Sequence, residues 1–371
     1  MTIRVLHYVS KMDRAGQETF IMNVFRNINK DKINFDFLCS SNGRGDYDDE
    51  IRRLGGNIYH LGNLELRHFK FLAVLFLLKK RLKILVRDHN VFEIHTQHAM
   101  DAFFSAMIAK KVGFKTVIVH SHNSNSLYHP KLHKIFRSFL HLLSVKRFAC
   151  GVDAGKWMFG NDHFTIIKNG IDTREFLFSS KKRESVRNKN HWENKIIIGH
   201  VGRFNSQKNQ LFVVKVFQEF IKLQKNAKLI FIGVGEEQEK IRNYVKNSLI
   251  EKDIIFLGVR DDVNKLYQGM DLFLMPSLFE GMPVTLIEAQ ASSLPCLVSN
   301  SITHDVKVTN RISFEDLSKS SKRWAESLEK LYFKYPNRVN EIENITKAGY
   351  SIKDVTIKLE TLYLKFNGDK K

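Results

Sequence analysis

Cysteine is scarce in this chain: Cys39, Cys150 and Cys296 are the 3 thiols among 371 residues, they lie far apart, and no C-x-x-C spacing occurs. Neither a disulfide framework nor a zinc site is indicated, and a reducing cytosol fits this usage. Long hydrophobic runs are lacking too. The amino terminus, MTIRVLHYVSKMDRAGQE, carries one apolar run of about six residues before turning polar, too short for a signal-peptide core or a membrane span. The most apolar stretch, Phe71 to Leu78, sits between Arg67, His68 and Lys70 on one side and Lys79, Lys80, Arg81 and Lys83 on the other. Such a segment, Arg67 to Arg87, has the character of an interfacial helix lying on an anionic membrane surface, and equally of a helix packed on a sheet with solvated lysines. Acidic residues are the third shortage: 39 Asp and Glu against 59 Lys and Arg leave a formal charge of +20. That field favours anionic surfaces or substrates. The charge is spread along the chain and no nucleic-acid module is present, which argues against nucleic acid as the partner.

What the chain has is ample material for cores, with 43% hydrophobic and 26% charged residues. Its 371 residues exceed what one core usually organises, so two domains are expected. Apolar strand candidates alternate with amphipathic segments: Ile3 to Val9, Phe35 to Leu38, Phe92 to Thr96, Thr116 to Ser121 and Phe164 to Ile167. Repetition of strand and helix implies a parallel sheet covered on both faces. After Asp172 the pattern gives way to SSKKRESVRNKNHWENK, polar and without apolar periodicity, which reads as an interdomain region. Alternation restarts with Lys195 to Val201, then Leu229 to Ile232, Ile254 to Leu257, Leu272 to Met275 and Cys296 to Ser299, implying a second α/β domain. Ile352 to Phe366 has helical spacing and reads as a closing helix. The expected division is 1–175 and 176–351, with 352–366 returning to the first domain.

The stretch Asp271 to Pro295, DLFLMPSLFEGMPVTLIEAQASSLP, carries the strongest chemical signal. A buried strand should end at Pro276, a loop holds Glu280 and Gly281, and Pro283 suits a first helical turn, where its missing N–H costs nothing. The first amides of that helix offer an anion- and hydroxyl-binding surface backed by the helix dipole. Glu280 and Glu288 flank the helix start, and carboxylates accept paired hydrogen bonds from vicinal hydroxyls, so a sugar or ribose matches them. In isolation such a pair is merely a loop carboxylate and a solvated helix residue. A second stretch, IIIGHVGRFNSQKNQ, ends a strand at Gly202 and opens a helix near Gln207. Open α/β sheets bind ligands beyond the carboxyl ends of their strands. Arg203 and Lys208 lie there, a guanidinium fork and an ammonium point charge suited to a diphosphate, or else ordinary surface charge in so basic a chain.

Together these residues resemble the retaining GT-B glycosyltransferases of family 4, group 1, which carry GR-x-x-x-x-KN or KG after the first strand of the second domain and EG-x-P-x-x-x-x-EA later. KNGIDTREF at Lys168 to Phe176, LGVRDDV at Leu257 to Val263 and LYQGMDLFLMPS before the two glutamates extend the likeness over nearly the whole chain. The resemblance implies an α/β GT-B fold, two Rossmann-like doubly wound parallel-sheet domains facing a cleft. It implies transfer of a hexosyl or N-acetylhexosaminyl group from a UDP- or GDP-type nucleotide-sugar to a polyprenyl-diphosphate-linked glycan, as in bacterial capsular and exopolysaccharide assembly. On the same likeness, Gly202, Arg203 and Lys208 hold the diphosphate, and Glu288 accepts from the ribose. Glu280 and the backbone of Gly281, Met282, Pro283 and Val284 hold the sugar, while Val259 and Arg260 lie near the base. No cofactor and no metal are implied, because two fixed cations do the work of a divalent ion. His120, at the carboxyl end of the strand in TVIVHSHNSNS, is the leading catalytic candidate alongside Arg203, Lys208 and Glu280, with His95 and His98 as rivals. Gly16, His122 and Asn169 fall on the acceptor side.

The sequence departs from that pattern in places. In DRAGQETF, Ala15 replaces the first glycine of the family's glycine-rich loop, and a methyl group restricts positive φ. Ser293 stands where many members have glycine, and NSITHDVK lacks the usual glycine-containing sugar loop, which points to an unusual donor sugar. Asp46-Tyr47-Asp48 has the form of a D-x-D metal signature but sits in a polar loop and reads as chance. Gly233-Val234-Gly235 reads as lining the donor side rather than binding a dinucleotide. A non-catalytic glycan- or partner-binding subunit and a nucleotide-sugar epimerase are the rival readings.

Overall fold

The computed structural model describes residues 2–62, 70–125, 129–246 and 248–368; Arg67 and His68, named above as flanks of the apolar stretch, lie outside the described residues. The chain forms two compact units, Met1–Gly170 with Ile352–Lys371 and Ile171–Ser351.

In the first unit the strands are β1 Ile3–Val9, β2 Ile33–Cys39, β3 Ile58–His60, β4 Val91–His95, β5 Thr116–Ser121, β6 Lys146–Ala149 and β7 Thr165–Ile166. They pair in parallel in the order β3-β2-β1-β4-β5-β6-β7. Parallel pairing obliges each connection to cross a face, so both faces are covered and the central strands are buried and largely apolar. Val5, Phe35, Phe37, Val91 and Ile118 accordingly lie in one buried cluster with Phe20 and Phe25 of the helix Gly16–Asn27 and with Ile352, Leu359 and Tyr363 of the helix Ile352–Gly368.

The second unit repeats the plan with β8 Ile196–Val201, β9 Ala227–Ile232, β10 Ile254–Phe256, β11 Leu272–Met275, β12 Cys296–Ser299 and β13 Ile312–Glu315, ordered β10-β9-β8-β11-β12-β13. Each sheet changes direction once, between β1 and β4 and between β8 and β11. In doubly wound sheets that switch point opens a crevice beyond the carboxyl ends of the strands.

The stretch taken from sequence as an interdomain region is instead an element of the second unit. Ser180–Asn190 is a helix whose first turn is capped by the Ser179 hydroxyl. It is held by charge rather than by an apolar face: Arg183 and Arg187 both reach Asp271 and the carbonyls before β11, and Trp192 behind them is buried. A helix anchored through guanidinium groups leaves no hydrophobic periodicity to read. The division between units falls at Gly170/Ile171 rather than at 175/176. Ile171 pairs with Ser351, and Phe176, in the short helix Thr173–Phe176, packs against Tyr267 of the second unit.

Candidate functional site

In the second unit the switch point brings two loops together. The loop after β8 carries Gly202, Arg203 and the short 3-10 turn Ser206–Lys208; the loop after β11 carries Pro276 to Pro283. Leu278 N–H donates to Gln207 O at 2.8 Å, Gln207 Nε2 to Phe279 O at 2.9 Å, and Asn209 Nδ2 to Pro276 O at 3.2 Å. Across this seam Lys208 Nζ donates to Glu280 Oε1 at 2.6 Å, and Gln207 Nε2 lies 3.3 Å from Glu280 Oε2. The sequence-predicted cation and sugar-binding carboxylate are thus one ion pair, largely buried. Gly202 makes room for it, since a Cβ there would lie 3.3 Å from Lys208 Cε. Arg203 is exposed, and its guanidinium makes no hydrogen bond or ion pair with the described residues.

Gly233 and Gly235 serve packing. Gly233 has φ +125, and Cβ atoms at the two positions would stand 2.2 Å from Gly202 O and Phe204 O. The G-x-G therefore lets the loop after β9 lie against the loop that presents Arg203. Val259 and Arg260 follow β10; Val259 is exposed, while Arg260 is clasped by both oxygens of Asp262 at 2.8 Å.

Pro283 caps the helix Val284–Ala291, and Gly281, Met282 and Val284 are buried around its first amides. Glu288 lies within that helix, nearly buried, and Tyr267 OH donates to Thr285 O at 3.1 Å and lies 3.3 Å from Glu288 Oε2. Burial raises the Glu288 carboxyl from its ordinary 4.5 to about 7, against the opposing pull of the Tyr267 hydrogen bond. Glu280 and Glu288 thus have different partners, a lysine and a phenol. Ser293 closes the helix with φ +60, a left-handed conformation that explains the family's glycine; its Oγ accepts from Val339 N–H at 3.0 Å, which offsets the strain of a side chain there.

In the first unit, strand register assembles a histidine cluster. Pairing of β1 with β4 sets His7 beside Glu93, and pairing of β4 with β5 sets His95 beside His120. His7 Nδ1 lies 2.9 Å from His95 Nε2, and His95 Nδ1 lies 2.8 Å from His122 Nε2. A neutral imidazole donates from one nitrogen and accepts at the other, so the protons along this chain all point one way. His120 Nδ1 lies 2.8 Å from Glu93 Oε1, and Tyr363 OH donates to Glu93 Oε2 at 2.6 Å. Burial lowers His7 to about 4 and His120 to about 3, holds His95 and His122 well below the ordinary histidine value, and raises Glu93. Burial thus favours the neutral form of all four rings.

His120, the lead candidate from sequence, is wholly buried, with Nε2 unpartnered among the described residues; His122, stacked on it at 4.2 Å, is half-buried and lies nearer the surface. His98 caps the helix Ala99–Val112 at the end of β4, outside this hydrogen-bonded chain. His95, His120 and His122 bring ligand atoms within 4.8 Å of one another, as do His7, Glu93 and His95. The geometry favours shared protons over a cation. The 2.8 Å between His95 and His122 nitrogens is hydrogen-bond spacing, shorter than the about 3.3 Å that two nitrogens on one tetrahedral zinc require.

Three further positions resolve questions raised by sequence. Ala15 caps the helix Gly16–Asn27 at φ −126, so the methyl group is unstrained there, and Gly16 has nothing within 4 Å of a Cβ. Asp46 accepts from Arg14 N–H at 3.0 Å and Asp48 is buried, which makes the D-x-D a tie between two loops. Asn169 is buried beside Gly170, whose carbonyl accepts from Asn23 at 3.2 Å. Gln207, Tyr267, Glu93 and Tyr363 were not singled out from sequence. Gln207 and Tyr267 stand inside the quoted motifs, but only contacts give them a role.

The family model described as glycosyl transferases group 1 matches residues 181–348. The putative glycosyltransferase EpsF of Bacillus subtilis is 30% identical over 365 residues, covering 94% of this chain and 92% of the relative. The chain belongs to the group 1 glycosyltransferases. The capsular polysaccharide biosynthesis glycosyltransferase CapH of Staphylococcus aureus is 26% identical to this group 1 glycosyltransferase, covering 98% of the chain and 99% of CapH. A UDP-Gal:alpha-D-GlcNAc-diphosphoundecaprenol alpha-1,3-galactosyltransferase of Escherichia coli is 24% identical, covering 80% and 79%. Among solved structures, Anabaena HepE in complex with UDP and glucose has a TM-score of 0.79 at 15% identity, covering 97% of this chain and 99% of that one. This likeness establishes the GT-B type of fold, with two parallel-sheet Rossmann-like domains, and the relatives place the enzyme among glycosyltransferases of polysaccharide biosynthesis.

Proposed function

We propose that this glycosyltransferase moves a hexosyl or N-acetylhexosaminyl group, with retention of configuration and without a metal, from a UDP- or GDP-type nucleotide-sugar to a polyprenyl-diphosphate-linked glycan at the cytosolic face of the membrane. The observation that carries the reading is the Lys208–Glu280 pair at 2.6 Å, set beside the exposed Arg203, whose guanidinium has no partner among the described residues, at the switch point of the second sheet. A donor diphosphate competes with Glu280 for Lys208, and the released carboxylate accepts from the sugar hydroxyls. As the bond from sugar C1 to the phosphate oxygen breaks, its electron pair stays on the diphosphate, where Arg203 and Lys208 meet the growing charge. Gly202 and the amides from Gly281 to Val284 complete the cradle. Glu288 accepts from the ribose, and Val259 and Arg260 flank the base. In the first unit, His122 with His120 behind it, Gly16 and Asn169 face the acceptor.

Support for the donor comes from HepE, solved with UDP and glucose, and for the acceptor from the Escherichia coli relative, named for a diphosphoundecaprenol-linked substrate. A thermal-shift screen of nucleotide-sugars, followed by transfer to a polyprenyl-diphosphate glycan in excess chelator, tests it. One donor should raise the midpoint, because it binds only the folded protein, and transfer should persist. Chelation that abolishes transfer, with rescue by magnesium, would replace the two cations by a metal-bridged diphosphate.

A further inference from the structure

The strands of the first unit carry two buried carboxyls, Asp36 on β2 and Glu93 on β4, and their surroundings set them apart. Arg4 Nε and Nη2 donate to the two oxygens of Asp36 at 2.8 and 2.7 Å, His89 Nε2 lies 2.8 Å from Oδ2, and Asn57 N–H donates to Oδ1 at 2.7 Å. Against the effect of burial, these partners hold Asp36 below the usual carboxylate range. Glu93 has no such cation. It is 1% exposed, and among the described residues neither a lysine nor an arginine bonds to it. The titratable groups around it are His7 from β1, His95 from β4 itself, His120 from β5 and Tyr363 from the closing helix Ile352–Gly368. Burial favours the neutral form of these rings and raises the Glu93 carboxyl. A buried carboxylate without a paired cation is costly, and a group so placed takes up a proton instead.

A protonated carboxyl has one O–H and keeps acceptor capacity on its other oxygen. Tyr363 OH donates to Glu93 Oε2 at 2.6 Å, which leaves the proton to Oε1, 2.8 Å from His120 Nδ1. With Oε1 donating, Nδ1 is the acceptor, and a neutral His120 carries its own proton on Nε2. Nε2 is the ring nitrogen that is buried without a partner among the described residues. An N–H left unpaired in a core costs stability, and its persistence marks a place for an acceptor oxygen.

We infer that Glu93 is held as a neutral acid, that Tyr363 keeps its proton on Oε1, and that the two together set His120 as the Nε2–H tautomer, a donor to oxygen and not a base. Glu93 and Tyr363 are positioning residues in this scheme. Tyr363 stands 270 residues from Glu93, so the return of the closing helix to the first unit has a chemical task as well as a packing one. The inference rests on the proposed function only for what the Nε2–H meets, a hydroxyl oxygen on the acceptor side.

Two measurements on the full chain without substrate test it. Nitrogen magnetic resonance of protein carrying isotopically labelled histidine, with the His120 signals identified by their loss in His120→Gln, should show Nε2 protonated and Nδ1 bare. The infrared spectrum should contain a protonated-carboxyl band that disappears in Glu93→Gln. That variant discriminates: its amide donates to Nδ1 and accepts from Tyr363 as the acid does, so tautomer, melting midpoint and kcat should stay near the wild type. Where a carboxylate instead holds a histidine by accepting from it, the same exchange reverses the tautomer and costs about 10⁴-fold in kcat. Tyr363→Phe frees the proton to sit on either oxygen, so both tautomers should appear, with kcat lowered about fivefold to tenfold and the KM for the donor, held by the second unit, unchanged. A wild-type His120 protonated at Nδ1, no carboxyl band lost in Glu93→Gln, a folded Glu93→Gln with its tautomer reversed, or a Tyr363→Phe with the tautomer still single would overturn the inference. The stated tautomer and band in a protein that transfers no sugar would uphold it and refute the proposed function instead.

Discussion

Arg203 and Lys208 are proposed to do the same work on the donor, yet the structure gives them opposite roles in stability, and that contrast is the sharpest test of the site. Lys208 and Glu280 sit 2.6 Å apart with side chains only 16% and 8% exposed. Removing one partner of a buried pair costs about 3 to 5 kcal/mol; the remaining exposure of Lys208 favours the lower end. For a domain of this size about 3 kcal/mol lowers the melting midpoint by roughly 6 to 12 °C. Arg203 is exposed, so Arg203→Ala should change stability by no more than about 0.5 kcal/mol. Both variants should nevertheless lose roughly 2 to 4 kcal/mol of transition-state stabilisation, about 30- to 1,000-fold in kcat/KM. The double variant Lys208→Ala/Glu280→Gln should recover much of the midpoint, since it buries no unpaired charge, and recover none of the turnover. Melting curves and initial rates at varied donor concentration supply both readouts. If Lys208→Ala melts with the wild type, or if Glu280→Gln restores its turnover, the pair is not the buried cation site described here.

Glu288 sets a pH dependence. Its carboxyl titrates at about 7 in the fold against 4.5 ordinarily, so between those values the folded chain holds a proton that the unfolded chain has shed, and this group's contribution to stability falls as pH rises through the window. Glu288→Gln should flatten that slope in melting curves from pH 5 to pH 8 and weaken donor binding most above pH 7, where the wild-type carboxylate is ionised; an unchanged slope would show that Glu288 does not titrate there. Gly233→Ala places a methyl group 2.2 Å from Gly202 O at φ +125 and should destabilise the second unit by well over about 1 kcal/mol, read as a lower midpoint and weaker donor binding. A wild-type midpoint would mean that the two loops can part without cost.

The sequence by itself determined the alternation of strand and helix, because parallel strands covered on both faces are predominantly apolar. β1, β5, β11 and β12 were legible to the residue for that reason. The short strands β3, β6 and β13 were not: they run for 3 to 4 residues and are only partly buried, so no apolar run marks them. Motif spacing likewise brought Arg203, Lys208, Glu280 and Glu288 into view. Only the tertiary structure decided which of them touch, since the Lys208–Glu280 pair joins residues 72 apart in sequence across the switch point of a sheet. It decided that Ser180–Asn190 is a helix, because the Arg187–Asp271 pair that holds it spans 84 residues and leaves no periodic trace. It also ranked the histidines. Fifteen in one chain are indistinguishable by composition. The register of three adjacent strands buried His120 against Glu93, drew Tyr363 from the far end of the chain onto the same carboxylate, and left His122 nearest the surface. Local pattern fixes which residues face inward, but the meeting of side chains distant in sequence depends on strand order and register, which no short window of residues contains.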